Sequence, residues 1–209
     1  PNANAETLDD VVNQQSNEGD YRFAKAVRNL WTPGETITVS FSGGTTDMYE
    51  SAKKYIMQDI QPNVSMQFKF VPSGGRVHIG FLNTDKFGGQ SSLGKKKNVT
   101  SQLVSINTGA YNLVSPTFNW ARYIICHEMG HTLGLAHEFD TCGQNSILEL
   151  VIDCTGTDPT SVMNYPQTEK RTMDHYSPKD VEWLRKVYKG TGATPKPGST
   201  PKSTSKSTP

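Results

Sequence analysis

The sequence predicts an α+β fold, and three observations predict it. Four short stretches alternate apolar and polar residues with the period of a half-buried strand. Three longer ones repeat apolar residues every three or four positions, as helices do, and the chain from 138 to 159 follows neither period. A length of 209 residues suits one domain or two small lobes and is enough to bury a sizeable core.

Residues 1–20 are polar, rich in Asn, Gln, Asp and Glu with one apolar pair at Val11 and Val12, and read as an extension outside the core. The folded domain is expected over 21–189. From Glu35 to Phe41, Ile37, Val39 and Phe41 alternate with Thr38 and Ser40, a strand entered from the turn Pro33-Gly34 and ended by Gly43-Gly44. Thr46 or Asp47 caps a helix whose Met48, Ala52, Tyr55, Ile56 and Ile60 share a face and which ends before Pro62. That helix should cover one side of a sheet. Met66, Phe68 and Phe70, then Val77 to Phe81, then Gln102 to Asn107 supply three more strands, with a Gly- and Lys-rich loop between them over 86–100. Trp120 to Leu133 forms a helix capped by Asn119, with Trp120, Ile124 and His127 or His131 facing inward. Ser177 caps the last helix, which runs to Tyr188 with Pro178 at its first position. Asp180 completes a capping box, and Val181, Leu184, Arg185 and Tyr188 form the packing face. Over 190–209 the tail holds nothing that packs and reads as a disordered linker or an O-glycosylated stalk.

Lys+Arg 21 against Asp+Glu 20 leaves a net charge of +1, and no basic stripe carries interleaved aromatics, so nucleic acid is not an expected partner. No apolar run reaches 18 residues, which argues against membrane insertion, and the PNANAETLDD start shows no signal-peptide pattern, as in a processed or trimmed soluble chain. A monomer is expected. Three cysteines leave at least one thiol outside any internal pair. Cys142 and Cys154 are the expected disulfide, which would stabilise by about 3 kcal/mol in the chain-entropy model, while Cys126 reads as a buried helix residue. Two sequons, Asn63-Val64-Ser65 and Asn98-Val99-Thr100, are compatible with secretion, and an extracellular destination is expected.

The chemistry is concentrated in ICHEMGHTLGLAHE, residues 125–138. His127 and His131, four apart on a helix, put their imidazoles within reach of one ion, and Glu128 between them is left free to act on water. His137 would lie roughly 15 Å further along a continuous helix, so the helix must stop first. Gly134 is the residue that can take the left-handed conformation that ends it. The pattern HExxHxxGxxH predicts one catalytic Zn²⁺ held by His127, His131 and His137 with an open position for water. Glu128 would accept the water's proton and deliver it to the leaving amine. A closed structural zinc site is the competing reading, although such sites use four protein ligands. His78 and His175 have no partner at ligand spacing and read as ordinary strand and surface residues.

SVMNYP at 161–166 resembles the Met-turn of the metzincin zinc endopeptidases, and Met163-Asn164-Tyr165 together with Glu138 after the third histidine resembles the astacin family. NLWTPGETITVSF at 29–41, SSLG at 91–94, SQLVSIN at 101–107 and YSPKDVEWLRKVY at 176–188 are similar to segments of astacin-like domains. The cysteine pattern of animal astacins is absent, and Phe139-Asp140 stand where an arginine often closes the extended motif.

The resemblance implies a metzincin fold of two lobes: a twisted, mostly parallel sheet with two helices above, an irregular lower lobe ending in the last helix, and a cleft between. It implies a secreted zinc endopeptidase acting on proteins or peptides held along an edge strand. Tyr165 would be a zinc ligand that swings to hydrogen-bond the transition state, with a plain core aromatic as the alternative, and Met163 a structural floor. Lys95, Lys96 and Lys97 fall where astacins form the substrate rim and would favour acidic substrates, or else they form a solvated loop. Glu18-Gly19-Asp20 is either a polar turn or the remnant of an inhibitory pro-segment, and Glu138 would contact a mature N-terminus. A serralysin-like or matrixin-like enzyme, or an idle zinc-containing binding module, are the alternative functions.

Overall fold

The computed structural model describes residues 30–83, 88–96, 98–135, 137, 158, 160–164 and 173–188. The extension over 1–20, the tail over 190–209, Asp20, Lys97, Glu138, Tyr165 and the pair Cys142 and Cys154 lie outside them.

Strand β1 (Thr36–Ser42) starts one residue later than its alternation suggests, and its Ile37 and Val39 are fully buried. It is flanked by β2 (Gln67–Phe70) and β3 (Val77–Leu82), and β3 pairs in turn with β5 (Gln102–Asn107), all in parallel. The register sets Ile37 beside Phe68, Phe41 beside Ile79, Ile79 beside Val104 and Phe81 beside Ile106. One face of the sheet is therefore a continuous apolar layer, and each fully buried side chain of this kind contributes about 1.5–3 kcal/mol. A fifth strand, β4 (Gly89–Gln90), closes the order β2-β1-β3-β5-β4 and runs antiparallel to β5. The expectation of a plain loop over 86–100 is corrected here, since two residues at a sheet edge need no hydrophobic alternation.

Helix α1 (Thr46–Tyr55) covers the apolar layer with Met48 and Ala52. Its cap is Thr45, not Thr46 or Asp47. Thr45 is the residue in extended conformation, and its side chain accepts from Met48 N at 3.3 Å. The helix runs on through a π turn (Ile56–Ile60) and a 3-10 turn (Gln61–Asn63), with Pro62 in the first turn of the latter, where it needs no N–H. The π turn points Asp59 inward, where Arg122 donates Nε to Oδ2 at 2.9 Å and its other arm to Oδ1. Arg122 also reaches Asp174 at 3.2 Å and so ties three segments together.

After α2 (Thr108–Tyr111), capped by Asn107, the chain enters α3 (Trp120–Thr132), capped by Asn119 through Arg122 N at 2.9 Å. Residues 123–130 of α3 are all buried, so this is a core helix with no solvent-exposed face. Trp120, expected inward, is only partly buried and meets Phe118 edge-on at 4.9 Å. The last carbonyls of α3 are satisfied from distant parts of the chain. Trp31 Nε1 donates to Thr132 O at 2.8 Å, and Gly94 N to His131 O at 2.8 Å. Tyr188 OH, at the far end of α4 (Pro178–Tyr188), donates to Leu133 O at 2.5 Å.

Ser177 and Asp180 exchange hydrogen bonds at the start of α4, Ser177 N to Oδ2 at 2.9 Å and Asp180 N to Ser177 Oγ at 3.1 Å, as the capping-box pattern requires. Leu184 and Tyr188 are fully buried. Arg185, expected on the packing face, is exposed and donates to Asn63 Oδ1 at 3.1 Å. Asn63 is itself buried and gives its Nδ2 to Asp59 O at 2.9 Å, so the fold leaves no space there for a glycan. Asn98 is exposed at φ 59°. No described helix is long and apolar enough to cross a membrane.

Candidate metal centre

His127 and His131 sit one turn apart on α3 with ring centroids 4.8 Å apart. The helix then ends in a left-handed glycine, with Gly134 at φ +97°. Gly134 N donates to His131 O at 2.8 Å and Leu135 N to Gly130 O at 2.9 Å, the paired bonds of a Schellman cap. That turn brings His137 back: its Nε2 is 3.2 Å from that of His127 and 3.1 Å from that of His131. These three are the group among the described residues able to hold a metal ion, and Cys126, His78 and His175 do not join it.

The ring orientations test whether zinc fits. His131 Nδ1 faces Leu135 O at 2.8 Å, and His127 Nδ1 faces Val162 O at 2.8 Å. A carbonyl oxygen only accepts, so both Nδ1 atoms carry the proton and both Nε2 atoms are bare lone pairs. Bare lone pairs turned toward one point repel unless a cation lies between them. Tetrahedral zinc with Zn–N of about 2.0–2.1 Å sets nitrogens roughly 3.3 Å apart. The separations from His137, 3.2 and 3.1 Å, are close to that, and the donor set fits zinc.

Glu128 lies beside this triangle, 4% exposed, and its Oε2 is buried with no hydrogen-bond partner. Burial pushes its carboxyl up to about 8. A cavity of about 300 Å³ opens between Glu128 with the histidines on one side and Gly89, Gln90 and Ser91 of the sheet edge on the other.

The turn Ser161–Asn164 closes the site from below, with Asn164 N donating to Ser161 O at 3.2 Å. Met163 is buried against Gly130, where an added Cβ would stand 2.6 Å from the Met163 sulfur. A glycine inside a helix costs about 1 kcal/mol against alanine. Here it admits the sulfur to the helix backbone. Asp180 holds the turn, accepting Ser161 Oγ at 2.8 Å and Val162 N at 3.0 Å, while Asp158 accepts Ser177 Oγ at 2.6 Å. The capping residues of α4 thus support the ring of His127 through Val162.

Sequence reasoning missed Tyr123, Gly89, Gly130 and the second task of Asp180. Asp180 alone had a signal, because a capping carboxylate has lone pairs to spare. By sequence Lys95 belongs to a substrate rim or a solvated loop. In the structure its Nζ is 2.9 Å from Glu35 Oε2 and lies 5.2 Å from the Trp31 ring centre, so it braces the segment leading into β1. Lys96 is exposed. His78, between Ser40 Oγ at 2.9 Å and Ser42 Oγ at 2.8 Å, and His175, on Asp174 at 2.8 Å, are away from the triangle, as expected.

The family model for the astacin peptidase family matches residues 23–183. The chain belongs to the astacin family. It is therefore a zinc metalloendopeptidase of the astacin branch, and the serralysin-like and matrixin-like alternatives are set aside. No curated protein sequence matches it. Among solved structures, myroilysin aligns with a TM-score of 0.55 at 19% identity, covering 78% of this chain and 97% of its own. High choriolytic enzyme 1, a hatching enzyme zinc-protease from the medaka fish Oryzias latipes, aligns at 0.52 with 18% identity, covering 77% and 94%. At such identity these likenesses concern the fold. The sheet of this astacin-family chain, mostly parallel with its helices, has the α+β architecture expected from the sequence.

Proposed function

We propose that this astacin-family peptidase cleaves internal peptide bonds of protein substrates outside the cell, as a monomer, with His127, His131 and His137 holding one zinc ion and Glu128 acting as general base and acid. The observation that carries this reading is the convergence of three Nε2 atoms, two fixed as bare acceptors, beside a buried carboxylate with an unpartnered oxygen. Zinc bound there supplies Lewis acidity, which lowers the pKa of water towards 7 and polarises a carbonyl group.

The chain's own residues do the rest. Glu128 takes the proton of the attacking water and returns it to the departing amine, a task suited to a carboxylate whose Oε2 has nothing else to accept from. Val162 O and Leu135 O hold the rings of His127 and His131 in the binding tautomer. Strand β4 pairs with β5 along one edge and ends the sheet, so its other edge can pair with an extended substrate. By family resemblance Tyr165 serves as an additional ligand and transition-state donor, and Met163 as the floor.

The test is an unbiased peptide library digested with the purified chain. Cleavage is expected at internal bonds, to stop with a zinc chelator and to return on adding zinc, and the same products report the P1′ preference. Cleavage that persists in chelator, or removes only terminal residues, contradicts the proposal.

A further inference from the structure

Tyr123 lies one turn before His127 on α3 and is 4% exposed. Its hydroxyl is 3.0 Å from Asn164 O and 3.2 Å from His127 Nδ1. The carbonyl only accepts, so the phenol donates to Asn164 O and turns a lone pair towards the histidine. The Nδ1–H of His127 is then shared between Val162 O at 2.8 Å and the Tyr123 oxygen. One histidine edge is thus linked to the two carbonyls on either side of Met163. The Tyr123 ring has little freedom: Phe118 lies at 5.5 Å, Trp120 edge-on at 6.1 Å and His127 at 5.4 Å between centroids. It also lines the cavity beside Glu128.

We propose that Tyr123 is a positioning residue whose hydroxyl locks the His127 imidazole to the Ser161–Asn164 turn, setting zinc affinity and the backbone from which Tyr165 departs. This rests on the reading of His127 as a zinc ligand. A carbonyl alone fixes the tautomer but leaves the ring free to rock about the Nδ1–H bond. A second acceptor on the same proton restrains that motion, and donation to Asn164 O fixes the main chain one residue before Tyr165. Outer partners of metal-bound histidines are typically worth about 10–100-fold in metal affinity or activity.

Tyr123→Phe keeps the ring and its packing and removes only the hydroxyl. Zinc dissociation constants by chelator competition, kcat and KM on one peptide, and the unfolding midpoint of the metal-free protein are compared with wild type. Zinc binding about 10-fold weaker and kcat lower by a similar factor are expected, with KM within about twofold. Zinc affinity and kcat both within about twofold of wild type overturn it. So does a fall in the metal-free midpoint with zinc affinity unchanged, since that marks a purely structural residue. His127→Ala is measured alongside. If it keeps wild-type zinc affinity, the ligand reading itself fails; if it loses zinc while Tyr123→Phe changes nothing, only the positioning role is overturned.

Discussion

Glu128→Gln abolishes peptide hydrolysis, lowering kcat/KM by about 10³-fold or more, while zinc content and fold stay those of the wild type. General acid–base catalysis contributes about 10²–10⁴-fold, and here one carboxylate is assigned both the proton removal and the proton return. Glutamine has the same shape and the amide fills the same buried space, so Met163, Gly130 and the histidine triangle are undisturbed. Glu128 does not belong to the ligand group, so the variant still takes up one zinc per chain. The check is steady-state kinetics with metal analysis on the same samples. A variant within about tenfold of wild type would remove Glu128 from the mechanism.

The same substitution has an opposite effect on the metal-free protein. Burial raises the folded-state ionisation of Glu128 to about 8 from its ordinary 4.5. Between those two pH values the unfolded chain binds fewer protons than the folded one, so the wild-type fold loses stability as pH rises from about 5 to 8. Glutamine does not titrate. Denaturant melts of the two metal-free proteins should coincide near pH 4 and diverge by pH 8, with the Glu128→Gln variant the more stable. Zinc closes the gap, because an adjacent cation favours the carboxylate.

Gly89→Ala lowers kcat/KM by roughly 10–10²-fold with zinc still bound, the second large effect. A Cβ at Gly89 would stand 2.7 Å from Glu128 Cγ, 2.8 Å from Glu128 Oε1 and 2.7 Å from Ser105 O. Ser105 O is main chain of β5, opposite β4 in the sheet, and cannot yield cheaply. Either β4 lifts off the sheet or the carboxylate is pushed aside. Both move a catalytic or substrate-binding group by a good part of an ångström, and misplacement of about 1 Å can cost 10²-fold. The loss should fall mainly on kcat if Glu128 moves and on KM if the strand lifts. Kinetics that match wild type in both would show that β4 does not seat on Glu128.

The centre of the site was legible because its geometry is local. The i, i+4 spacing of His127 and His131 and the need to turn before His137 leave Gly134 as the breaker, and the structure shows φ +97° there. Ser177 with Asp180 and the strand at Gln102–Asn107 were legible for the same reason. What stayed hidden depends on contacts between distant segments. Three successive residues, Thr45, Thr46 and Asp47, can each cap a helix, and the choice of Thr45 is made where the chain leaves the sheet. Strand β4 has no pattern of its own and exists because β5 is there to pair with. Tyr123 is an aromatic on a core helix by sequence, and only the approach of the Met163 turn brings the Asn164 carbonyl to its hydroxyl beside His127. Lys95 looked like a solvated charge until Glu35 and Trp31 were beside it.

The claim on which the rest depends is that three imidazoles hold the ion. Zinc K-edge X-ray absorption of the purified protein measures it directly. The expected spectrum is that of one zinc per chain with three imidazole nitrogens at about 2.0–2.1 Å and the remaining scatterers oxygen. A spectrum with fewer than three imidazoles, or with sulfur at about 2.3 Å, would contradict it.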